Sequence, residues 1–323
     1  MKKLVSTKGM SREEWLSWRK KGIGGSDAGA IAGMNPWRSA IDVFMDKTNP
    51  EVTPQEERMP MKVGRYLEDL VARLWMEETG KTVRNNNHIL QHDDYPFMLA
   101  NIDREVVGEK AILECKTTSA FNQEQWKDDN IPQQYVIQCL HYLAVTGYDR
   151  CYLACLVGNH GFVTRVIERD EDAINALIAI EKDFWYFHVV QEKMPAPDGS
   201  DTAGDAIKTI YAEGDPDIEE VDLTDDFNDH ILDRVDEIDG LIDALNTEKA
   251  EIVQNIQLAM KEAETAKIGG RKVTWKTYKG RKSFDSKRFK ADHKDLYEEY
   301  ITIGKPYRTF KIGKPVQAEQ KGE

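Results

Sequence analysis

Two short runs, Asn101-Ile102-Asp103 and Ile112-Leu113-Glu114-Cys115-Lys116, constrain this chain more than any other feature. Segments 97–107 and 110–118 read as strands joined by the turn Val106-Val107-Gly108-Glu109-Lys110. Residues two apart in a strand share a face. Glu114 and Lys116 therefore project to one side, and Leu113, Cys115 and Thr117 to the other. Neighbouring antiparallel strands lie about 4.8 Å apart, so Asp103 can meet Glu114 across the hairpin. Two carboxylates and an amine would then converge on one point. Carboxylate oxygens suit Mg²⁺ or Mn²⁺, which are hard ions. A lysine beside such an ion can orient or deprotonate a water and offset charge developing on a phosphoryl group. A lone Glu-x-Lys is more often a solvated charge pair, so the flanking sequence decides.

Upstream, Gly64-Arg65-Tyr66-Leu67-Glu68 opens an amphipathic helix with Tyr66, Leu67, Leu70, Val71, Leu74 and Trp75 as its apolar stripe and Glu68 close beside it. Downstream, Pro132 starts a helix that runs to about Thr146 and stops at Gly147. Gln138 and Tyr142 are four apart on that helix and share a face. Segments 151–157 and 161–168 read as the strands that follow.

Taken in order, Gly64-x-x-x-Glu68, Asp103, Glu114-x-Lys116 and Gln138-x-x-x-Tyr142 resemble the PD-(D/E)xK nuclease superfamily. The likeness is to its RecB-like branch, and more closely to the phage-type exonuclease group that includes lambda exonuclease and the YqaJ-like viral recombinases. It covers roughly residues 10 to 195, with Ile102 standing where the motif name has a proline. The resemblance implies an α/β fold, a restriction-endonuclease-like core with a mixed central sheet flanked by helices. By the same resemblance Asp103, Glu114 and the backbone carbonyl of Cys115 bind a catalytic Mg²⁺ or Mn²⁺, and Lys116 positions and activates water. Glu68 serves a second metal or the water network, Gln138 steadies Lys116 or the substrate phosphate, and Tyr142 packs behind it.

The N-terminal segment reads as a short helix at Trp15-Leu16-Ser17-Trp18-Arg19, then a glycine-rich loop, residues 22–31, entering a helix capped by Ser26 or Asp27. The local alternatives are a plain tight turn or an anion site at exposed amides near an arginine. In the resembled group an arginine followed seven residues later by a serine contacts the 5′-phosphate of a DNA end, and Arg19 and Ser26 have that spacing. So close to a phosphate, Asp27 would have to point away or face a metal or an arginine. Asn35-Pro36-Trp37 also matches the YqaJ-like pattern.

A net charge of −13 at pH 7 sits poorly with nucleic-acid binding, but its distribution matters. Residues 196–267 hold 5 Lys+Arg against 21 Asp+Glu, and residues 268–323 hold 15 against 7, which leaves −5 for residues 1–195. Mean hydropathy is −0.60 and no run is long and apolar enough for a membrane span or signal peptide, so a cytoplasmic enzyme in a bacterial host is expected. Cys115, Cys139, Cys151 and Cys155 lack the spacing of cluster-bearing relatives, and Cys151 and Cys155 would stand about 13 Å apart along a strand, so no iron-sulfur cluster is expected.

The chain therefore divides into a nuclease domain (1–195), an acidic linker and long helix or helical hairpin (196–267), and a small basic α+β module (268–323). Pro195-Ala196-Pro197-Asp198-Gly199-Ser200 reads as the linker. From about Glu219 to Lys267, Ile231, Val235, Ile238, Ile242 and Leu245 recur at intervals of four and three, and Ile252, Ile256 and Ala259 continue the pattern. Such spacing fits a coiled coil, a hairpin or one amphipathic helix on the core. Segment 271–278 reads as a strand, 286–300 as a basic helix and 307–312 as a last strand. The expected activity is a Mg²⁺-dependent exonuclease acting 5′ to 3′ on double-stranded DNA ends beside a RecT-like or Redβ-like single-strand annealing protein; some relatives form trimeric rings. The alternatives are a structure-selective endonuclease of the same fold and a non-catalytic DNA-binding scaffold.

Overall fold

The computed structural model describes residues 1–49, 59–228, 230–304 and 307–313. Two compact units, Met1–Ala212 and Glu213–Glu323, make up the chain. The first begins with β1 (Lys2–Ser6), α1 (Arg12–Arg19), α2 (Gly25–Ile31), α3 (Ala40–Thr48) and α4 (Met59–Thr79). It continues with β2 (Val83–Asn85), β3 (His88–Gln91), β4 (Leu99–Ala100), β5 (Arg104–Val106), β6 (Ala111–Thr118), α5 (Gln133–Thr146), β7 (Arg150–Val157), β8 (Gly161–Glu168), α6 (Glu171–Asp183) and α7 (Asp201–Ile210).

The central sheet has the order β2-β5-β6-β7-β8. Only β6 and β7 run parallel in it, because α5 lies between them in sequence and a parallel pair requires such a crossover. Ile112, Cys151, Leu153 and Cys155 face α5, whose Cys139, Leu140 and Leu143 complete that core. On the other face Leu113, Tyr152 and Ala154 pack against Val71, Ala72 and Trp75 of α4. This is the α/β architecture expected, a mixed sheet between helices.

The single strand expected over 97–107 is two strands in different sheets. Leu99–Ala100 pairs with β3 in a small β1-β3-β4 sheet, whereas Arg104–Val106 joins the central one. The chain changes sheets at Asn101-Ile102-Asp103, a break hidden in sequence because the polar–apolar–polar alternation there is also what a continuous strand would show. Tyr66 and Leu70, expected on the buried stripe of α4, are exposed; only Val71, Ala72 and Trp75 of that helix are fully buried. His141 is packed inside, its Nδ1 2.8 Å from Glu181 and its Nε2 2.9 Å from the Leu99 carbonyl.

Past the expected linker, α7 packs Ala203 and Ala206 against Ile41 of α3, so the first unit extends to Ala212 instead of ending at 195. In the second unit α8 spans Ile231–Met260, shorter than 219–267. It is followed by a hairpin of β9 (Thr265–Ile268) and β10 (Arg271–Thr274), then α9 (Ser286–Asp292) and α10 (Lys294–Tyr300). Gly269 and Gly270 both take positive φ in the hairpin turn, a two-glycine signal that sequence reading overlooked. The expected helix 286–300 is broken at His293, and 307–312 forms no strand; Tyr307 and Phe310 are exposed there. Among the described residues no helix is long and apolar enough to cross a membrane.

Candidate active site

The β5–β6 register pairs Arg104 with Leu113 and Glu105 with Ile112. Continued by one residue, it sets Asp103 opposite Glu114 on the α5 face of the sheet. Backbone pairing stops there, and the Asp103 side chain takes over the missing ladder contact: its Oδ2 accepts the Cys115 N–H at 2.8 Å. Because the N–H and C=O of one strand residue point the same way, the Cys115 carbonyl also faces Asp103, away from β7.

Glu114 is buried, and its Oε1 accepts from Lys116 Nζ and from Gln138 Nε2, each at 2.7 Å. Gln138 closes the ring by accepting from Lys116 at 2.9 Å and donating to the Tyr142 hydroxyl at 3.0 Å. The other carboxylate oxygen, Glu114 Oε2, is buried and has no hydrogen-bond partner among the described residues. Burial and the neighbouring Glu114 and Glu68 charges push Asp103 well above the usual carboxylate range. Burial also raises Glu114, against the pull of Lys116. Burial opposes the Lys116 ammonium, yet Glu114 and Asp103 outweigh it and hold lysine protonated. Two acids thus stand beside one ammonium, and one buried carboxylate oxygen of the set makes no hydrogen bond among the described residues. That donor set fits a hard divalent cation.

Glu68 stands at the edge of the cluster, near enough for its charge to raise Asp103 and Glu114, but outside the hydrogen-bonded ring. It comes from α4, on the opposite face of the sheet, and its Oε1 accepts from Arg104 at 2.5 Å, while Arg104 also binds Asp69 at 2.6 Å and the Asp103 carbonyl at 2.6 Å. Among the described residues no three His, Cys, Asp or Glu side chains gather as a ready metal cage. Arg104, which ties Glu68 to the Asp103 backbone, was not visible as a site residue; its partners lie 35 and 36 positions away.

A second polar cluster adjoins the first. Arg19 donates to Ser26 Oγ at 2.9 Å, which brings together the two residues expected to contact a terminal phosphate. Neither Ser26 nor Asp27 caps α2; the N-cap is Gly24, and Asp27 in the first turn accepts the Gly24 N–H at 3.1 Å. Asp27 is fully buried and faces cations: Lys47 at 2.8 Å, Arg38 in a short ion pair, and Arg19 at 3.6 Å. Burial opposes its charge, but Lys47, Arg38 and Arg19 hold its carboxyl far below the usual range. Arg38 and Lys47 were missed in sequence, although a lysine three and four residues past Phe44 and Val43 on a buried stripe marks a hidden anion. Glycine joins the two clusters. A Cβ on Gly25 would stand 2.6 Å from the Tyr142 ring and 3.0 Å from Gln138, and one on Gly22 only 2.4 Å from the Phe97 carbonyl, so both close approaches require glycine.

Residues 14–149 match the YqaJ-like viral recombinase domain. The chain is 40% identical over 298 residues, 92% of each protein, to an uncharacterized protein YqaJ of Bacillus subtilis strain 168. Among solved structures, an alkaline exonuclease of Laribacter hongkongensis superposes with a TM-score of 0.42 at 20% identity, over 57% of this chain and all of that one. A putative exonuclease of Eubacterium rectale gives 0.45 at 11% identity, over 68% of this chain and 98% of that one. On the strength of the full-length relative and the matched domain, this chain belongs to the YqaJ-like viral recombinase family.

Proposed function

We propose that the protein is a Mg²⁺- or Mn²⁺-dependent DNA exonuclease that degrades one strand of a duplex from its 5′ end, leaving a 3′ single strand for recombination by annealing. One observation carries the reading: a buried Glu114 whose first oxygen is fixed by Lys116 and Gln138 and whose second has no partner, directly across the hairpin from Asp103. Asp103, Glu114 and the Cys115 carbonyl would hold the ion. When bound, such an ion supplies a water of lowered pKa and neutralises charge on the phosphoryl oxygens.

The chain's own groups do the rest. Lys116, held by Glu114 and Gln138, would orient the incoming water and stabilise charge growing on the phosphate. Gln138 fixes Lys116, and Tyr142 fixes Gln138. Arg104 keeps Glu68 beside the site, where it serves a second ion or the water network. Arg19 and Ser26 receive a terminal phosphate, with Arg38 adding charge next to them. Because Gly25 lets that pocket touch Tyr142 and Gln138, a held phosphate would place an end linkage at the reactive groups. The product strand suits a RecT-like or Redβ-like annealing protein as partner.

Duplexes labelled at either terminus, with 5′-phosphate or 5′-hydroxyl and with Mg²⁺ or Ca²⁺, test this. Expected is Mg²⁺-dependent loss of the 5′ label first, faster from phosphorylated ends. Equal cutting of hairpin-capped and open duplexes would make it an endonuclease instead.

A further inference from the structure

We propose that α8 is a parallel coiled-coil strand whose partner is another copy of this same chain. The helix is 30 residues long. Along it Ile231, Ile238, Leu245 and Ile252 occupy one heptad position (d) and Val235, Ile242 and Lys249 the other (a). This seam is open: Ile231, Ile238, Ile242, Leu245 and Ile252 are 41–64% exposed. Leu232, Leu241 and Val253 flank it and are exposed as well. Among the described residues, its C-terminal end is used within the unit, where Ile256, Ala259 and Met260 share a groove with Ala263, Ala266 and Ile268 near the β9–β10 hairpin. Three sustained heptads of apolar residues facing solvent are the pattern that another helix covers by knobs-into-holes packing.

Two features select a copy of this helix over a different partner. Arg234 sits at a g position and Asp239 at the e position five residues on. In a parallel, in-register assembly each Arg234 faces the partner's Asp239, whereas an antiparallel pair sets g against g and e against e. Within one chain Arg234 instead leans on Glu237 at 2.9 Å, an exposed pair of little strength. The single polar a position, Lys249, also fixes register. In parallel copies all the Lys249 ammoniums lie level and reach solvent together, while a shifted or reversed pairing sets each against an isoleucine layer. In parallel register the helix is thus complementary to itself.

Sedimentation equilibrium of the full chain over a micromolar range tests this. The wild type is expected at a whole multiple of 37.0 kDa, and Ile238→Asp with Ile242→Asp at the mass of one chain. Arg234→Asp alone should weaken association about 3- to 10-fold, and adding Asp239→Arg should restore it. The charge exchange leaves the apolar seam intact, so it stays informative even if the aspartate variant misfolds. A monomeric wild type, an unchanged mass in the aspartate variant, or a charge reversal that its complement does not repair would each overturn the proposal; the first is the result if the nuclease unit of the same chain covers the seam.

Discussion

The first unit buries two acidic centres side by side, and they are balanced in opposite directions. Around Asp27 three cations crowd one buried carboxylate, with the more exposed Asp46 also pairing Arg38 and Lys47, and the Asp27 carboxyl is held far below its usual range. Around Glu114 two carboxylates crowd one ammonium, an oxygen is left without a partner, and both acids are pushed up. A buried carboxylate is therefore not one kind of feature. The first centre is a finished ion-pair network with surplus positive charge, suited to hold an anion; the second is unfinished and suited to take a cation. Pairing decides the sign, because burial pushes carboxyls upward in both.

The largest effect that sharpens this contrast is Lys116→Ala, expected to cut the rate of cleavage on the order of 10³-fold or more with DNA binding retained. Cleavage that survives the change would break the catalytic reading of the second centre. Asp27→Asn comes next. It leaves Lys47 and Arg38 without their buried counter-ion and should cost about 3 kcal/mol of stability at neutral pH, read by urea unfolding. A folded pKa below the unfolded value contributes stability above about pH 4 that is lost as pH falls, so the gap between wild type and variant should narrow below about pH 4. A gap that widens there would mean that the network does not hold Asp27 ionised.

Arg19→Ala should reduce the preference for 5′-phosphorylated over 5′-hydroxyl ends roughly tenfold, the worth of one charged hydrogen bond. The loss should fall on KM for phosphorylated ends, leaving kcat on saturating hydroxyl ends unchanged. An equal loss on both kinds of end would reduce the cluster to a structural role. The smallest effect is on stability without divalent ions. Asp103→Asn keeps an acceptor for the Cys115 N–H and removes a raised acid, so this variant should be at least as stable as wild type. The sign follows from linkage: a raised folded pKa gives stability that is present below about pH 4 and is lost as pH climbs through the folded value. The advantage of the variant should therefore grow with pH.

Much of the second centre was legible because its geometry is local. Strand period two puts Glu114 and Lys116 on one face, a hairpin register brings Asp103 across, and a four-residue helical step joins Gln138 to Tyr142. The first centre was half legible. Arg19 and Ser26 are one short loop apart, but Lys47 and Arg38 reach Asp27 only because α3 folds onto α2, which no local pattern encodes. Glu68 shows the same limit from the other side. Its motif position was readable, yet it reaches the cluster through its charge alone, because Arg104 claims its oxygen. The change of sheet at Asn101–Asp103 was hidden because its polar–apolar alternation also fits one continuous strand, although that break is what frees the Asp103 side chain to bind the Cys115 amide.

The central claim is that Asp103 and Glu114 together hold a divalent ion. Titrating the protein with Mn²⁺ and following free ion by electron paramagnetic resonance tests it most directly, in the wild type and in Asp103→Asn. Saturable binding in the wild type that disappears in the variant is expected; binding that is absent from the wild type, or equally tight in both, would contradict the claim.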